Sequence, residues 1–148
     1  MPIKSFRGKI ANNGNETVVL HTNDGNTGYR IKKFEIMAGT PGTASTELVC
    51  KIYTIPQSAV DGVVDFSDQT LIGVALFEND SGVGAGPMTA IIFDNITFNQ
   101  DIYLTAIDVA GSQETNYHIE LEQVKLDLNQ NTVATLKDIK NIEQRSQI

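Results

Sequence analysis

The side chains able to do chemistry are few and far apart. The two histidines, His21 and His118, fall in strand-like stretches, and neither has a second histidine at metal-ligand spacing. The one cysteine, Cys50, shares an alternating apolar face with Leu48 and Ile52, where a small buried thiol is expected; spacing leaves a Cys50–His pair open. One cysteine forms no internal disulfide and builds no multi-cysteine metal site. Asp61, Asp65 and Asp68 fall in one short stretch, and Asp24 lies among Asn23, Gly25 and Asn26. Such oxygen-rich loops suit hard cations, but neither stretch has the spacing of a calcium loop, so a solvated turn is the expected use. Paired carboxylates could serve glycoside hydrolysis. There is no tryptophan to form a sugar platform, which leaves Tyr29, Tyr53, Tyr103 and Tyr117 as the aromatic faces for a carbohydrate-binding alternative. The run from Gly82 to Gly86 has the glycine density of a phosphate loop. It lacks the Lys-Ser/Thr pair and leads into Pro87 and a strand pattern, so a surface loop is expected. No Walker A loop, dinucleotide fingerprint, nucleophile elbow or zincin motif occurs. No catalytic, cofactor-binding or metal-binding residues are assigned.

The elements that would position these groups are strands. Segments 4–10, 17–21, 29–37, 48–55, 70–77, 89–98, 101–108 and 117–128 are rich in Val, Ile, Phe, Tyr and Thr, which suit a pleated, half-buried surface. Turn chemistry separates them: Asn12-Asn13-Gly14-Asn15, Asn23-Asp24-Gly25-Asn26, Gly39-Thr40-Pro41-Gly42, Asn79-Asp80-Ser81-Gly82 and Ala110-Gly111-Ser112. Ile102, Leu104 and Ala106 share one face, and Tyr117, Ile119 and Leu121 another. The alternation breaks phase between Ile31 and Phe34, and again between Leu121 and Val124, which predicts a bulge or bend at each. About eight short strands with no long helix between them predict an all-β, antiparallel sandwich, jelly-roll-like, over residues 1–128. Residues 129–148 differ. Val133, Leu136, Ile139 and Ile142 recur three apart, the spacing of one side of a short helix that Asn131 or Thr132 could cap. Such a helix is too short to stand alone, so it either closes the domain's own core or docks as an arm on a neighbour.

Composition bounds the partners. The chain has 148 residues and a net charge of −7, which disfavours phosphate neutralisation and hence a nucleic-acid partner. No run reaches the ~20 apolar residues of a membrane-spanning helix, and residues 1–10 carry Lys4, Arg7 and Lys9 with no apolar block, unlike a secretory signal. A small sandwich buries modest area by itself, so assembly would supplement its stability.

Six stretches bear on family. They are Gly28-Tyr29-Arg30-Ile31, the run from Val64 to Leu71, Ile92-Phe93-Asp94-Asn95, the run from Phe98 to Tyr103, the run from Asn116 to Glu122, and Val133-Ala134-Thr135-Leu136-Lys137. Spread over most of the chain, they resemble small virion structural proteins of tailed phages of marine bacteria. The resemblance implies a role in the particle and no catalytic residues. The chain looks like a capsid decoration or cement protein, of a kind often β-rich and often trimeric, made in the host cytoplasm and bound to the outer capsid surface. The implied partners are the major capsid protein and further copies of the chain, with a homotrimer favoured. The acidic charge agrees with an outer position, since an inner one would face packaged DNA. Candidate contact residues lie in the terminal segments: Lys4, Phe6 and Arg7 for pairing with a neighbour's strand, and Val133, Leu136, Ile139 and Ile142 as a docking stripe. A tail or neck component is the alternative within the same particle.

Overall fold

The computed structural model describes residues 2–20, 25–42, 45–80, 84–93 and 96–126. The sites His21 and Asp24, the segment 129–148 and its stripe Val133, Leu136, Ile139 and Ile142 lie outside the described residues. Among the described residues the chain is all-β, with eight strands and no helix. They are β1 (Ile3–Ile10), β2 (Gly14–Val18), β3 (Thr27–Ala38), β4 (Thr46–Tyr53), β5 (Leu71–Asp80), β6 (Gly84–Ile92), β7 (Ile102–Asp108) and β8 (Thr115–Lys125).

The strands form two antiparallel sheets, ordered β1-β8-β3 and β2-β7-β4-β5-β6. First pairs with last, second with second-last, and the central two form a hairpin. This nesting is that of a long hairpin rolled up, as in a jelly roll. It departs from the full pattern at β6, which touches β3 but takes its hydrogen bonds from β5. The inward faces meet in one core that includes Phe34, Leu48, Ile52, Ile102, Leu104, Ile119 and Leu121. Burying each such side chain stabilises the fold by about 1.5–3 kcal/mol.

Local chemistry explains the joints. Asn13 adopts φ 63°, and Gly14 N–H donates to the Ala11 carbonyl at 2.9 Å. The Asn-Gly pair thus makes a tight turn, but one that carries the chain from one sheet to the other and not into a hairpin. The expected bulge in β3 is present: Ile31 pairs with Leu121, the register shifts, and Lys33 pairs with Glu120. Lys32 and Lys33 are both exposed, while Ile31 and Phe34 are both buried. The bulge expected in β8 is absent, because its register runs unbroken from Leu121 to Lys125. The apolar positions simply change face there, and Leu126 is buried over Gly28 beside Thr97. The glycine run also departs from expectation. From Gly84 it is the start of β6, with Gly84 and Ala85 paired to Asp80 and Asn79, because a strand ladder needs backbone and not side chains. Strand β2 begins earlier than expected, and Leu20 lies beyond it, its N–H held by Asp101 Oδ1 at 3.0 Å.

Strand β4 is buried on both faces, whereas alternation pointed to one. On the second face Tyr53 packs with Leu71, Val74 and Phe93, and Lys51 meets residues 54–70, a connection without strand or helix. Lys51, with a side chain only 4% exposed, anchors it by donating to Asp61 Oδ1 at 3.0 Å and to the Val63 carbonyl at 2.6 Å. The pole where β4 begins and β7 ends is held by the buried Asp108. Its Oδ1 accepts from the N–H groups of Glu47, Ala110 and Gly111, and its Oδ2 from that of Gln113, at 3.0–3.1 Å. Gln113 in turn bonds Thr40, and Asn12 Oδ1 accepts from Asp108 N–H at 2.8 Å.

Candidate functional site

The chemistry-bearing residues are dispersed by this fold. Cys50 is fully buried on the inward face of the larger sheet, and burial pushes its thiol pKa far above the ordinary range. Burial and a hydrogen bond to Glu16 likewise push the Tyr117 phenol up. Glu16 reaches inward from β2, and Tyr117 crosses to it over Gly8, where a Cβ would stand 2.9 Å from the phenol oxygen. The cluster of Glu16, Tyr117 and Cys50 is therefore interior, with its thiol and phenol held protonated.

The aspartates of the 54–70 connection are spent on the loop itself. Asp61 accepts from Val63 N–H, Asp65 from Ser67 and Asp68 from Thr70, each two residues on. Hydrogen bonding from Lys51 holds the Asp61 carboxyl below its usual value, and Ser67 does so for Asp65. No group of three potential metal ligands occurs among the described residues. Tyr29, Tyr53 and Tyr117 are buried, so they offer no stacking face to a sugar. Tyr103 is half-buried.

Two surface features remain. The first is the outward edge of β1. The Gln123 N–H to Pro2 carbonyl bond sets the alternation of the β1–β8 ladder. Lys4, Phe6, Gly8 and Ile10 therefore spend their backbone groups on β8, while those of Ile3, Ser5, Arg7 and Lys9 face away. No strand among the described residues pairs with that side. Of the candidate contacts, Arg7 points outward, whereas Phe6 packs against the core and Lys4 lies on the inward phase, its Nζ 5.7 Å from the Tyr29 ring centroid. Strand β1 carries three basic side chains and no acidic one, on a chain of net charge −7.

The second is a trough of about 740 Å³ across the outer face of the smaller sheet. Strand register builds it. Arg7, His118 and Glu35 stand in one row, Lys9, Asn116 and Met37 in another, and Gly8, Tyr117 and Ile36 lie between them. The middle row points its side chains inward, so backbone floors the trough. At the β3 end it opens toward Phe77 and Met88. His118 Nδ1 is 3.7 Å from Glu35 Oε1, and Lys33 Nζ is 3.4 Å from the same oxygen. Further along this face Glu122 is held below its usual pKa, chiefly by the hydrogen bond from Arg30 at 2.7 Å. His118 thus meets a carboxylate in a depression, but Cys50 belongs to the other sheet, and no serine or cysteine is among the described residues lining the trough.

Of the two, sequence reasoning pointed only to the edge of β1, through Lys4, Phe6 and Arg7. The basic residues of β1 were visible as a cluster, but the rows of the trough exist only through the pairing of β8 between β1 and β3. No protein-family model matches the chain, and no curated protein matches it in sequence.

Proposed function

We propose that this chain is a non-enzymatic virion structural protein that binds the outside of a phage capsid and bridges neighbouring capsid subunits. The observation that carries the docking mode is the open, basic edge of β1. Four residues, Ile3, Ser5, Arg7 and Lys9, present backbone donors and acceptors with no strand beside them among the described residues. A partner's extended segment can complete that ladder, and main-chain hydrogen bonds then supply affinity while alternate side chains supply specificity. The charges of Lys4, Arg7 and Lys9 favour an acidic segment, and they disfavour pairing two copies through β1, which would bring two basic sets together. On this reading Phe6 takes no direct part, since its ring packs against the core and its backbone groups pair with β8. Trimerisation, on this reading, uses another surface. The assignment to a virion rests on the resemblance of the six sequence stretches.

Mechanistically, a mature shell is loaded by its packaged DNA. A protein seated across subunit joints adds buried area to each joint and favours the assembled state by mass action. An interface of roughly 1,600 Å² would be of standard size, and many copies on one shell add avidity. The test is copy number per purified virion, by quantitative mass spectrometry against the major capsid protein. A ratio near one per capsid subunit, or one trimer per local three-fold, supports the cement role. Six or twelve copies per particle move the protein to the neck or tail, and absence from virions overturns both.

A further inference from the structure

We infer that the trough across β1, β8 and β3 is a peptide-binding site, for an extended segment that carries a carboxylate and, about three residues away, an apolar side chain. The inference goes beyond the capsid role and does not depend on it. The two ends of the trough differ in chemistry. The β1 end presents Arg7 and Lys9, with no acidic residue on that strand. The β3 end presents Met37 and Met88, both substantially exposed, over Phe77. Glu35 stands on the β3 side, where it disfavours a second negative charge, so the anionic group of a ligand is directed to β1. Two interstrand spacings separate the ends, about 10 Å, which a segment in the extended polyproline II conformation covers in about three residues while keeping residues i and i+3 on one face. Flexible, polarizable Met side chains at an exposed position suit an apolar side chain of variable shape. The Asn116 amide, midway along the outward row, offers a polar contact on the way, which favours a peptide over an alkyl chain.

The test uses the full chain labelled with ¹³C-methyl methionine and the peptide acetyl-Glu-Ser-Thr-Leu-amide. Met37 and Met88 report directly from the trough. Their methyl resonances are expected to move on titration, with affinity in the millimolar range for so short a probe. Replacing Glu by Gln in the peptide should weaken binding about tenfold, and replacing Leu by Ser should do likewise. Arg7→Gln should weaken the Glu peptide but leave the Gln peptide unchanged, which separates charge recognition from a general loss of fold. Met37→Glu should abolish binding. Met37 is on β3, so this variant leaves the β1 edge intact, and loss of peptide binding with retained capsid docking would separate the two sites. Unmoved methyl resonances at ~10 mM peptide, or equal binding of the Glu and Gln peptides, would overturn the inference.

Discussion

Removing the carboxylate of Asp108 should cost more than any other single polar change at the pole it organises. Four backbone N–H groups converge on it, from Glu47, Ala110, Gly111 and Gln113. A hydrogen bond to a charged group contributes about 1.5–3 kcal/mol net when it is sheltered. All four bonds are part-buried, so water would replace part of what each loses, leaving about 1 kcal/mol each. Asp108→Ala should therefore destabilise the fold by about 4 kcal/mol, a large share of the ~5–15 kcal/mol expected for a domain. Asp108→Asn keeps an oxygen for three of the donors but turns an amide N–H₂ toward Gln113, a cost of about 1–2 kcal/mol. Urea unfolding at neutral pH, followed by far-UV circular dichroism, measures both as midpoint shifts at constant slope. An Ala variant within 1 kcal/mol of the parent protein, or an Asn variant as unstable as Ala, would refute the view that this carboxylate organises the pole.

Three further outcomes follow from the same geometry. Lys51→Met should keep the apolar packing, lose about 1.5–3 kcal/mol, and admit protease cleavage within 56–67, read by limited proteolysis and mass spectrometry. Cys50 should resist alkylation in the folded protein and react at once in urea, because burial holds the thiol protonated; rapid native labelling would show that the core opens. The folded pKa values of Asp61 and Glu122 lie below their unfolded ones, so the stability they contribute is fully present above about pH 4.5 and is lost as pH falls through the folded values. Asp61→Asn should flatten the acid limb of the stability profile, and an unchanged limb would count against the Lys51 anchor.

How much of this was readable beforehand depends on the range of the interaction. The sandwich, most of its strands and the bulge beside Lys32 and Lys33 follow from alternation and turn chemistry, which act over a few residues. The seat of Cys50 followed in the same way. The second buried face of β4 did not, because Lys51 is met by a connection that shows no periodicity and Tyr53 by residues distant in the alternation, Leu71, Val74 and Phe93. A lysine flanked by Cys50 and Ile52 was the available hint, since a cation within so apolar a stretch needs a partner if both faces are covered. The role of Asp108 was hidden because it joins the turn that follows β7 to Glu47 on β4, 61 residues away in the chain. The β8 bulge was a false signal: a strand whose end is covered on the outward side shows the same phase change as a bulge.

The rolled-up topology has a mechanical consequence. Pro2 and Leu126 lie at the same pole, because β1 and β8 are antiparallel neighbours with Ile3 beside Glu122. Tension applied between these two points would peel the β1–β8 ladder open one residue pair at a time, like a zipper, and would not shear it as a whole. The sandwich is thus weak along the line joining Pro2 and Leu126 and stiff across its sheets. Where it must carry a load between subunits, the force has to enter through strand edges and faces, and tethers at the two ends of the strand array can position the domain but not hold it under strain.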